Sequence, residues 1–280
     1  MMMRITTHVI GFLALSLGCQ VGSGAGSHEH VSPAVDSLKT RPSFRTVKNR
    51  AFTKGEELVY DVNYGFVTAG EATITIPEYR TIRGRKCYHV LFHVKSKPFF
   101  DVFYKVRDRY ETYIDTRGIF PWKFEQHIRE GGYSRDFIVS FDHYTRKAIT
   151  KDRNYDIPLY VQDIMSALFY VRTMNFDGFR PGQKVWLRNF YKDSTYTLGV
   201  KYLGRQEIDV EAGTFKTIIL QPLISEGGLF KASGRIFVWV SDDERKIPVQ
   251  VKAEIPIGSI VGELIRYRGV RLPLRGKIDD

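Results

Sequence analysis

The sequence predicts a mainly β protein: a large antiparallel curled sheet, a half-barrel or barrel, with one packed α-helix near 160–174. Three observations support this fold class. Apolar and polar residues alternate from Phe52 onward, turn signals separate the alternating runs, and only one segment has helical spacing. Successive side chains of a strand point to opposite faces, so each alternating run is expected to bury one face and expose the other.

About a dozen alternating runs, separated by short turn signals such as Arg83-Gly84 and Gly131-Gly132, cover the chain after Phe52. Short connections join antiparallel neighbours, and a sheet of this size has to curl in order to bury its apolar face. The clearest runs are 58–64, 72–76, 88–94, 102–114, 196–202, 215–219, 237–239, 247–251 and 260–267.

One segment breaks the two-residue period. Its apolar residues recur at helical spacing, with Asp156-Ile157-Pro158 before them and Asp177-Gly178 after them as boundary signals. The apolar positions are Val161, Ile164, Met165, Leu168, Phe169 and Val171. We therefore expect one amphipathic helix over 160–174, which leaves two β halves, 51–155 and 180–275, as an alternative description of the sheet.

The first nineteen residues are typical of a secretory signal. Arg4 precedes a nine-residue apolar run at 9–17, and Gly18-Cys19 follows it. Nine residues are too few to span a bilayer, which needs about 20. Cys19 after a small residue predicts an acylated lipoprotein N-terminus, although Ser16 stands where such signals usually carry leucine. The alternative is an ordinary signal cut after Ala25.

We expect three regions: a signal peptide at 1–19, a flexible tether at 20–50 and a β-rich domain at 51–280. The tether is poor in large apolar residues. Gln20 after the cysteine favours the outer membrane, so the expected location is the periplasm or the outer-membrane side of the cell envelope. The expected membrane contact is the lipid anchor at Cys19.

The net charge of +11 is spread over the chain without a long basic block. Such a surface could attract an anionic lipid or an anionic glycan by long-range electrostatics. Nucleic acid is not an expected partner of an exported protein. The sequence does not predict an oligomeric state.

No residue set predicts a catalytic centre, a metal site or a cofactor. The Gly-x-Ser-x-Gly motif is absent. His89 and His93 share one strand face, but four residues along a strand span about 13 Å, too far for both to hold one zinc ion. We interpret both histidines as residues of the polar face.

Four residues are candidate ligand contacts: Asp108, Tyr104, Tyr110 and Trp239. Asp108 shares the parity of the apolar face with Tyr104 and Tyr110. A buried carboxylate must be paired or take up a proton. Asp108 is therefore either a polar contact inside a cavity or one half of a structural pair with an arginine of another strand.

Several stretches resemble an uncharacterised exported bacterial family, the domain of unknown function 3108. They are Gly55 to Val62 with Ala69 to Ala72, Val106 to Asp115, Tyr160 to Ala167, and Gly234 to Val249. The resemblance implies an envelope protein with a β-rich fold. It implies no catalytic residues.

Three functions remain open from the sequence. The first is a lipid-anchored envelope protein that binds or carries a hydrophobic or amphipathic molecule, or supports outer-membrane assembly. The second is a structural or docking protein without a ligand cavity. The third is an envelope glycan or lipid hydrolase that uses Asp108 with Asp61 or Glu111. A cavity in the β domain, and the residues that line it, would separate these three functions.

Overall fold

The computed structural model describes residues 43–225 and 235–278. Fifteen strands and two helices follow one another along this part of the chain. The elements are β1 Glu57–Tyr64, β2 Val67–Ile82, β3 Arg85–Ser96, α1 Pro98–Asp101, β4 Arg107–Asp115, β5 Pro121–Glu130, β6 Tyr133–Asp142, β7 Lys147–Thr150, β8 Asn154–Asp156, α2 Ile164–Arg172, β9 Lys184–Tyr191, β10 Ser194–Val210, β11 Gly213–Ser225, β12 Ile236–Ser241, β13 Pro248–Glu254, β14 Ser259–Arg268 and β15 Lys277–Ile278.

All fifteen strands belong to one antiparallel sheet, which confirms the predicted fold class. The strand order is β8-β7-β6-β5-β4-β3-β2-β1-β14-β13-β12-β11-β10-β9, and β15 pairs with β11. Thus β1 and β14 join the two β halves that the sequence suggested.

One edge of the sheet, β9, is covered by the segment that leads into α2. The backbone N–H of Gln162 donates to the carbonyl of Arg188, and the N–H of Phe190 donates to the carbonyl of Gln162, each at 2.8 Å. An uncovered edge would present unpaired backbone groups to other chains. The segment before α2 therefore protects this edge and places the helix on the concave face.

We call the end of the sheet that carries the β1–β2, β3–β4, β5–β6 and β13–β14 connections the upper end. The opposite end, with the β2–β3 and β4–β5 connections, is the lower end. The register defines these ends, because neighbouring strands alternate in direction throughout the sheet.

Helix α2 separates two apolar clusters on the concave face. Met165 and Phe169 pack into the larger cluster, formed mainly by β1–β6, whereas Ala167 and Val171 pack into the smaller one, formed by β9–β12. Each pair is spaced four residues apart and so lies on one face of the helix. The helix is apolar on both sides because it has sheet on both sides.

The N-terminus of α2 is fixed by Asp163. Its carboxylate accepts hydrogen bonds from the backbone N–H groups of Met165 and Ser166 and from the hydroxyl of Thr112 on β4, at 2.7–2.8 Å. The Ser166 hydroxyl accepts from the Asp163 N–H and completes a reciprocal cap. Burial raises the pKa of Asp163 to about 6 despite these bonds.

The C-terminus of α2 is fixed by a buried ion pair. The two terminal nitrogens of the Arg172 guanidinium, Nη1 and Nη2, donate to Glu56 at 2.6 and 2.9 Å, and both side chains are almost completely buried. The same guanidinium donates to the carbonyls of Ala51 and Arg245. A buried charge needs such partners to offset its loss of hydration.

The structure differs from the sequence interpretation in two places. The segment that contains Phe44 was assigned to the tether, but the Phe44 ring packs against Phe120 and Trp122 at 5.3 and 5.7 Å. The predicted run 102–114 becomes strand only from Arg107, and Val102 is exposed in the loop after α1. The signal peptide, Cys19 and tether residues 20–42 lie outside the described residues.

Cys87 is fully buried, and burial raises the pKa of its thiol to about 12. Among the described residues, no helix combines the length and the apolar character needed to cross a bilayer.

Replacing Arg172 by Met should lower the free energy of unfolding by about 3–5 kcal/mol, because Glu56 is left as a buried charge without its cation. Urea unfolding followed by circular dichroism measures this loss. The double variant Arg172→Met/Glu56→Met should regain most of it.

The control for this prediction is Arg268→Met. Arg268 also pairs with a glutamate, Glu57, at 2.8 Å, but it is exposed. An exposed pair contributes about 0–1 kcal/mol. Equal losses in the Arg172 and Arg268 variants would contradict the role given to the buried pair.

Candidate functional site

An apolar cavity of about 200 Å³ lies between α2 and the concave face of the sheet. It follows the side of the helix that faces the second β half, and its lining residues on β10 and β11 lie toward the upper ends of those strands. The lining residues are Tyr60, Ala72, Ile74, Phe92, Ile164, Met165, Ala167, Leu168, Val171, Asn189, Tyr196, Leu198, Val200, Leu220, Pro222, Ile236, Val238, Pro248, Val251 and Gly262.

The lining contains no charged side chain among the described residues. The Tyr60 and Tyr196 hydroxyls and the Asn189 amide nitrogen have protein partners, whereas Asn189 Oδ1 is buried without a hydrogen-bond partner among the described residues. The Tyr60 hydroxyl donates to the Pro248 carbonyl at 2.8 Å, and the Asn189 amide donates to the Tyr196 hydroxyl at 3.3 Å. A ligand in this space would therefore be held by apolar contact and not by recognition of charge.

Small residues create the space. Ala72 on β2, Ala167 on α2 and Gly262 on β14 occupy inward positions where larger side chains would meet across the concave face. Small residues on the apolar face were a sequence signal of the cavity, but only the strand order shows that they face one another.

The four predicted ligand contacts do not line this cavity. Asp108, Tyr104 and Tyr110 form one group near the upper end of β4, where the Tyr110 ring packs against Phe92 at 5.8 Å. Phe92 in turn lines the cavity. Trp239 points away from the concave face, and its indole N–H donates to Gln206 at 3.2 Å. The structure therefore brings three of the four residues together, and Phe92 lies between this group and the cavity.

The partner of Asp108 is another carboxyl group, not the arginine guanidinium that the sequence suggested. Asp108 Oδ1 accepts from the backbone N–H of Arg129 at 2.8 Å, and the Glu130 carboxyl lies next to it, close enough for the two groups to change each other's pKa. The Tyr104 hydroxyl donates to Glu130 at 3.4 Å. Glu130 was missed because its position at the end of a run resembles that of a turn residue.

A shared proton explains how this pair stays buried. Asp108 Oδ2 and Glu130 Oε1 are buried and have no hydrogen-bond partner among the described residues. Burial, together with the neighbouring Asp108, raises the pKa of Glu130 to about 8, and burial raises the pKa of Asp108. Two adjacent buried carboxyl groups do not both ionise readily.

The acids proposed for a hydrolase do not converge. Asp61 and Glu111 point to the outer face of the sheet, where Asp61 lies 3.2 Å from Lys97 and Glu111 lies 2.7 Å from His89. Asp108 points inward, on the opposite face of the sheet from Asp61 and Glu111, so these acids do not face one another across a cleft. Glycosidase carboxyl groups stand about 5–9.5 Å apart.

The two histidines on the outer face differ. His93 is exposed, as expected for the polar face, whereas His89 is buried, with its ring stacked on Tyr113 at 4.6 Å. Burial opposes ionisation of Glu111, but His89 and Arg109 outweigh it and lower the pKa of that carboxyl. In the described part of the chain, no group of three or more histidine, cysteine or acidic side chains could hold a metal ion.

Glu130→Gln should reduce the loss of stability with rising pH. The pKa of Glu130 is higher in the folded protein than its ordinary value of 4.5, so folding favours the protonated form. This preference makes its full contribution to the free energy of unfolding below about pH 4.5, and the contribution is lost as the pH rises to about 8. As the pH rises from about 4.5 to about 8, we expect the free energy of unfolding of wild type to fall by about 1–3 kcal/mol relative to that of the variant.

Urea unfolding across this pH range measures the effect. Asp156→Asn is the control, because Asp156 is exposed and pairs only with Lys147 among the described residues. Parallel pH profiles for wild type and Glu130→Gln would exclude a shared buried proton.

Three solved structures match this chain in structure at low sequence identity. A β-barrel-like protein of the DUF1849 domain family from Brucella abortus has a TM-score of 0.50 and 10% identity, and the match covers 82% of this chain and 100% of that one. A candidate lipoprotein from Parabacteroides distasonis has a TM-score of 0.37 and 10% identity, with 81% and 100% of the two chains covered. A candidate exported protein with a YmcC-like fold from Bacteroides fragilis has a TM-score of 0.33 and 8% identity, with 80% and 99% covered.

The first of these similarities supports a β-barrel-like description of the curled sheet. A search of curated proteins finds no match. The family described as "protein of unknown function (DUF3108)" matches residues 59–265, which include β1 through most of β14 and both helices. The chain therefore belongs to the DUF3108 family.

Proposed function

We propose that this protein is an exported, lipid-anchored protein of the bacterial cell envelope that binds one alkyl chain of an amphipathic envelope molecule. The observation that supports this function is the cavity beside α2, with its uncharged and mainly apolar lining. The N-terminal signal and Cys19 support export and anchoring. The periplasm, facing the outer membrane, is the location that this sequence pattern favours.

The size of the cavity limits the ligand. A cavity of about 150 Å³ is enough to hold benzene, so about 200 Å³ suits a segment of one alkyl chain and not both chains of a phospholipid. Each methylene that leaves water contributes about 0.8 kcal/mol. Because no charged group of the described residues lines the cavity, the polar head of the ligand would remain outside it.

Two observations favour this function over the alternatives. A docking protein has no need for an apolar cavity beside its only long helix among the described elements. A hydrolase needs converging carboxylates or another catalytic group, and Asp108, Asp61 and Glu111 do not converge. Binding of an apolar chain needs only an apolar cavity, which the described residues provide beside α2.

Leu168→Trp should weaken binding of a fluorescent long-chain fatty acid about tenfold or more, because the indole fills space beside α2 that the ligand would occupy. Fluorescence titration of the purified protein measures the affinity. Native mass spectrometry of the wild type, purified without detergent, should show an adduct with the mass of one lipid. This lipid has either a single chain or several chains of which only one enters the cavity.

The matched control is Leu272→Trp. Leu272 is exposed and lies beyond β14 at the lower end. It should leave the affinity unchanged, and urea unfolding should show that both variants remain folded. Unchanged affinity in a folded Leu168→Trp variant would rule out the cavity as the binding site.

A further inference from the structure

The upper end of the sheet carries exposed apolar side chains on three neighbouring connections. Phe66 in the β1–β2 turn is fully exposed, and Phe99, Val102 and Phe103 between β3 and β4 are 71–83% exposed. Ile257 in the β13–β14 turn is 61% exposed. We call these five residues the apolar rim.

The rim is continuous because its three connections join adjacent strands. The order β4-β3-β2-β1-β14-β13 places the three hairpin ends side by side. The Tyr64 hydroxyl donates to the Ile257 carbonyl at 3.0 Å, and the Lys97 N–H donates to the Ala69 carbonyl at 2.9 Å. These bonds link the turn tips into one surface.

The loop that contributes most of the rim is held in place by polar contacts beneath it. The carboxylate of Asp101 accepts hydrogen bonds from the Arg107 guanidinium and from the Ser96 hydroxyl. The Phe99 and Phe103 rings contact each other at 5.9 Å. Exposed phenylalanines on a braced loop cost free energy in water, so their exposure indicates a surface that they contact.

We propose that the apolar rim inserts into the interface of a phospholipid bilayer and holds the upper end of the sheet against the membrane. The rim consists of protruding turn tips and not of a groove, which suits a fluid surface better than a folded partner. Lys97 and Lys105 lie at the two ends of the β3–β4 loop, Tyr104 lies within that loop, and Tyr64 ends β1 at the same end of the sheet. Lysine and tyrosine around apolar side chains are typical of membrane interfaces.

The length of the N-terminal chain is compatible with this orientation. The described chain begins at Ser43 and packs at the lower end through Phe44, opposite the rim. The 24 residues from Cys19 to Ser43 can reach about 80 Å when extended. That exceeds the length of β2, the 16-residue strand, which is about 53 Å. An anchor at Cys19, which rests on the proposed function, would therefore allow the rim to face the same bilayer.

The upper end is also the end toward which the cavity lies on β10 and β11. A rim in the membrane would bring the cavity close to acyl chains. The apolar rim does not depend on the cavity, because the rim residues are not lining residues and face outward.

The test uses the full chain with Cys19→Ser, so that no acyl anchor contributes, and vesicles of phosphatidylcholine with and without phosphatidylglycerol. The rim variant is Phe66→Ser/Phe99→Ser/Phe103→Ser. The control is Ile138→Ser/Trp186→Ser/Leu272→Ser, three exposed apolar residues outside the rim. Co-sedimentation should show binding about tenfold or more weaker for the rim variant and unchanged for the control.

A second measurement does not require a variant with weakened vesicle binding. Tryptophan placed by Phe103→Trp should be quenched by phosphatidylcholine with brominated acyl chains, whereas tryptophan placed by Leu272→Trp should not. Absence of wild-type binding, equal binding of both triple variants, or quenching at neither position would overturn the proposal. So would a rim variant that converts a dimer into a monomer and leaves vesicle binding unchanged, because the rim would then cover a second copy.

The failure of this inference differs from the failure of the proposed function. Leu168→Trp fills the cavity and should leave vesicle binding intact. If fatty-acid binding is absent and vesicle binding still requires the rim, the cavity proposal fails and the membrane surface stands.

Discussion

The structure depends on how one curled sheet fills its concave apolar face. A sheet of fifteen strands cannot leave that face in water. Helix α2 occupies it, and buried polar groups fix both of its ends: Asp163 with Thr112 at the N-terminus, and Arg172 with Glu56 at the C-terminus. These contacts fix where the helix lies, and the helix position determines which parts of the interior are packed and which remain open.

The candidate site follows from that position. On the side of the larger cluster, Phe169 packs against the first β half, and Met165 packs there and also borders the cavity. On the other side, Ala167 leaves the cavity. The buried carboxyl pair of Asp108 and Glu130 lies behind Phe92 and does not supply charge to the lining. The described interior thus keeps its carboxyl groups out of the apolar space. This arrangement suits retention of an alkyl chain better than a chemical reaction of that chain.

Much of the fold was predictable because it depends on local periodicity. The named alternating runs identified β1–β4 and β10–β14, nine of the fifteen strands, and the spacing of Ile164 and Leu168 identified α2. Val102 was placed wrongly because its parity matches β4, while the hydrogen bonds of that region close a helical turn at Phe100 instead. Parity was similarly insufficient for Trp239, which faces outward on β12.

The site was less predictable because it depends on contacts between distant strands. The burial of Asp108 followed from its apolar neighbours, but its partner Glu130 is on another strand and became evident only from the β4–β5 register. The cavity arises where Ala72, Ala167 and Gly262 meet, more than 90 residues apart in sequence. No local pattern encodes that meeting.

A crystal structure of the protein with a brominated fatty acid tests the central claim most directly, because bromine can be located by its anomalous scattering. The account predicts bromine density between α2 and β10–β12, beside Leu168 and Val238, with the carboxylate of the ligand outside the cavity. Bromine only on the outer surface, or an interior closed by a different position of α2, would contradict it.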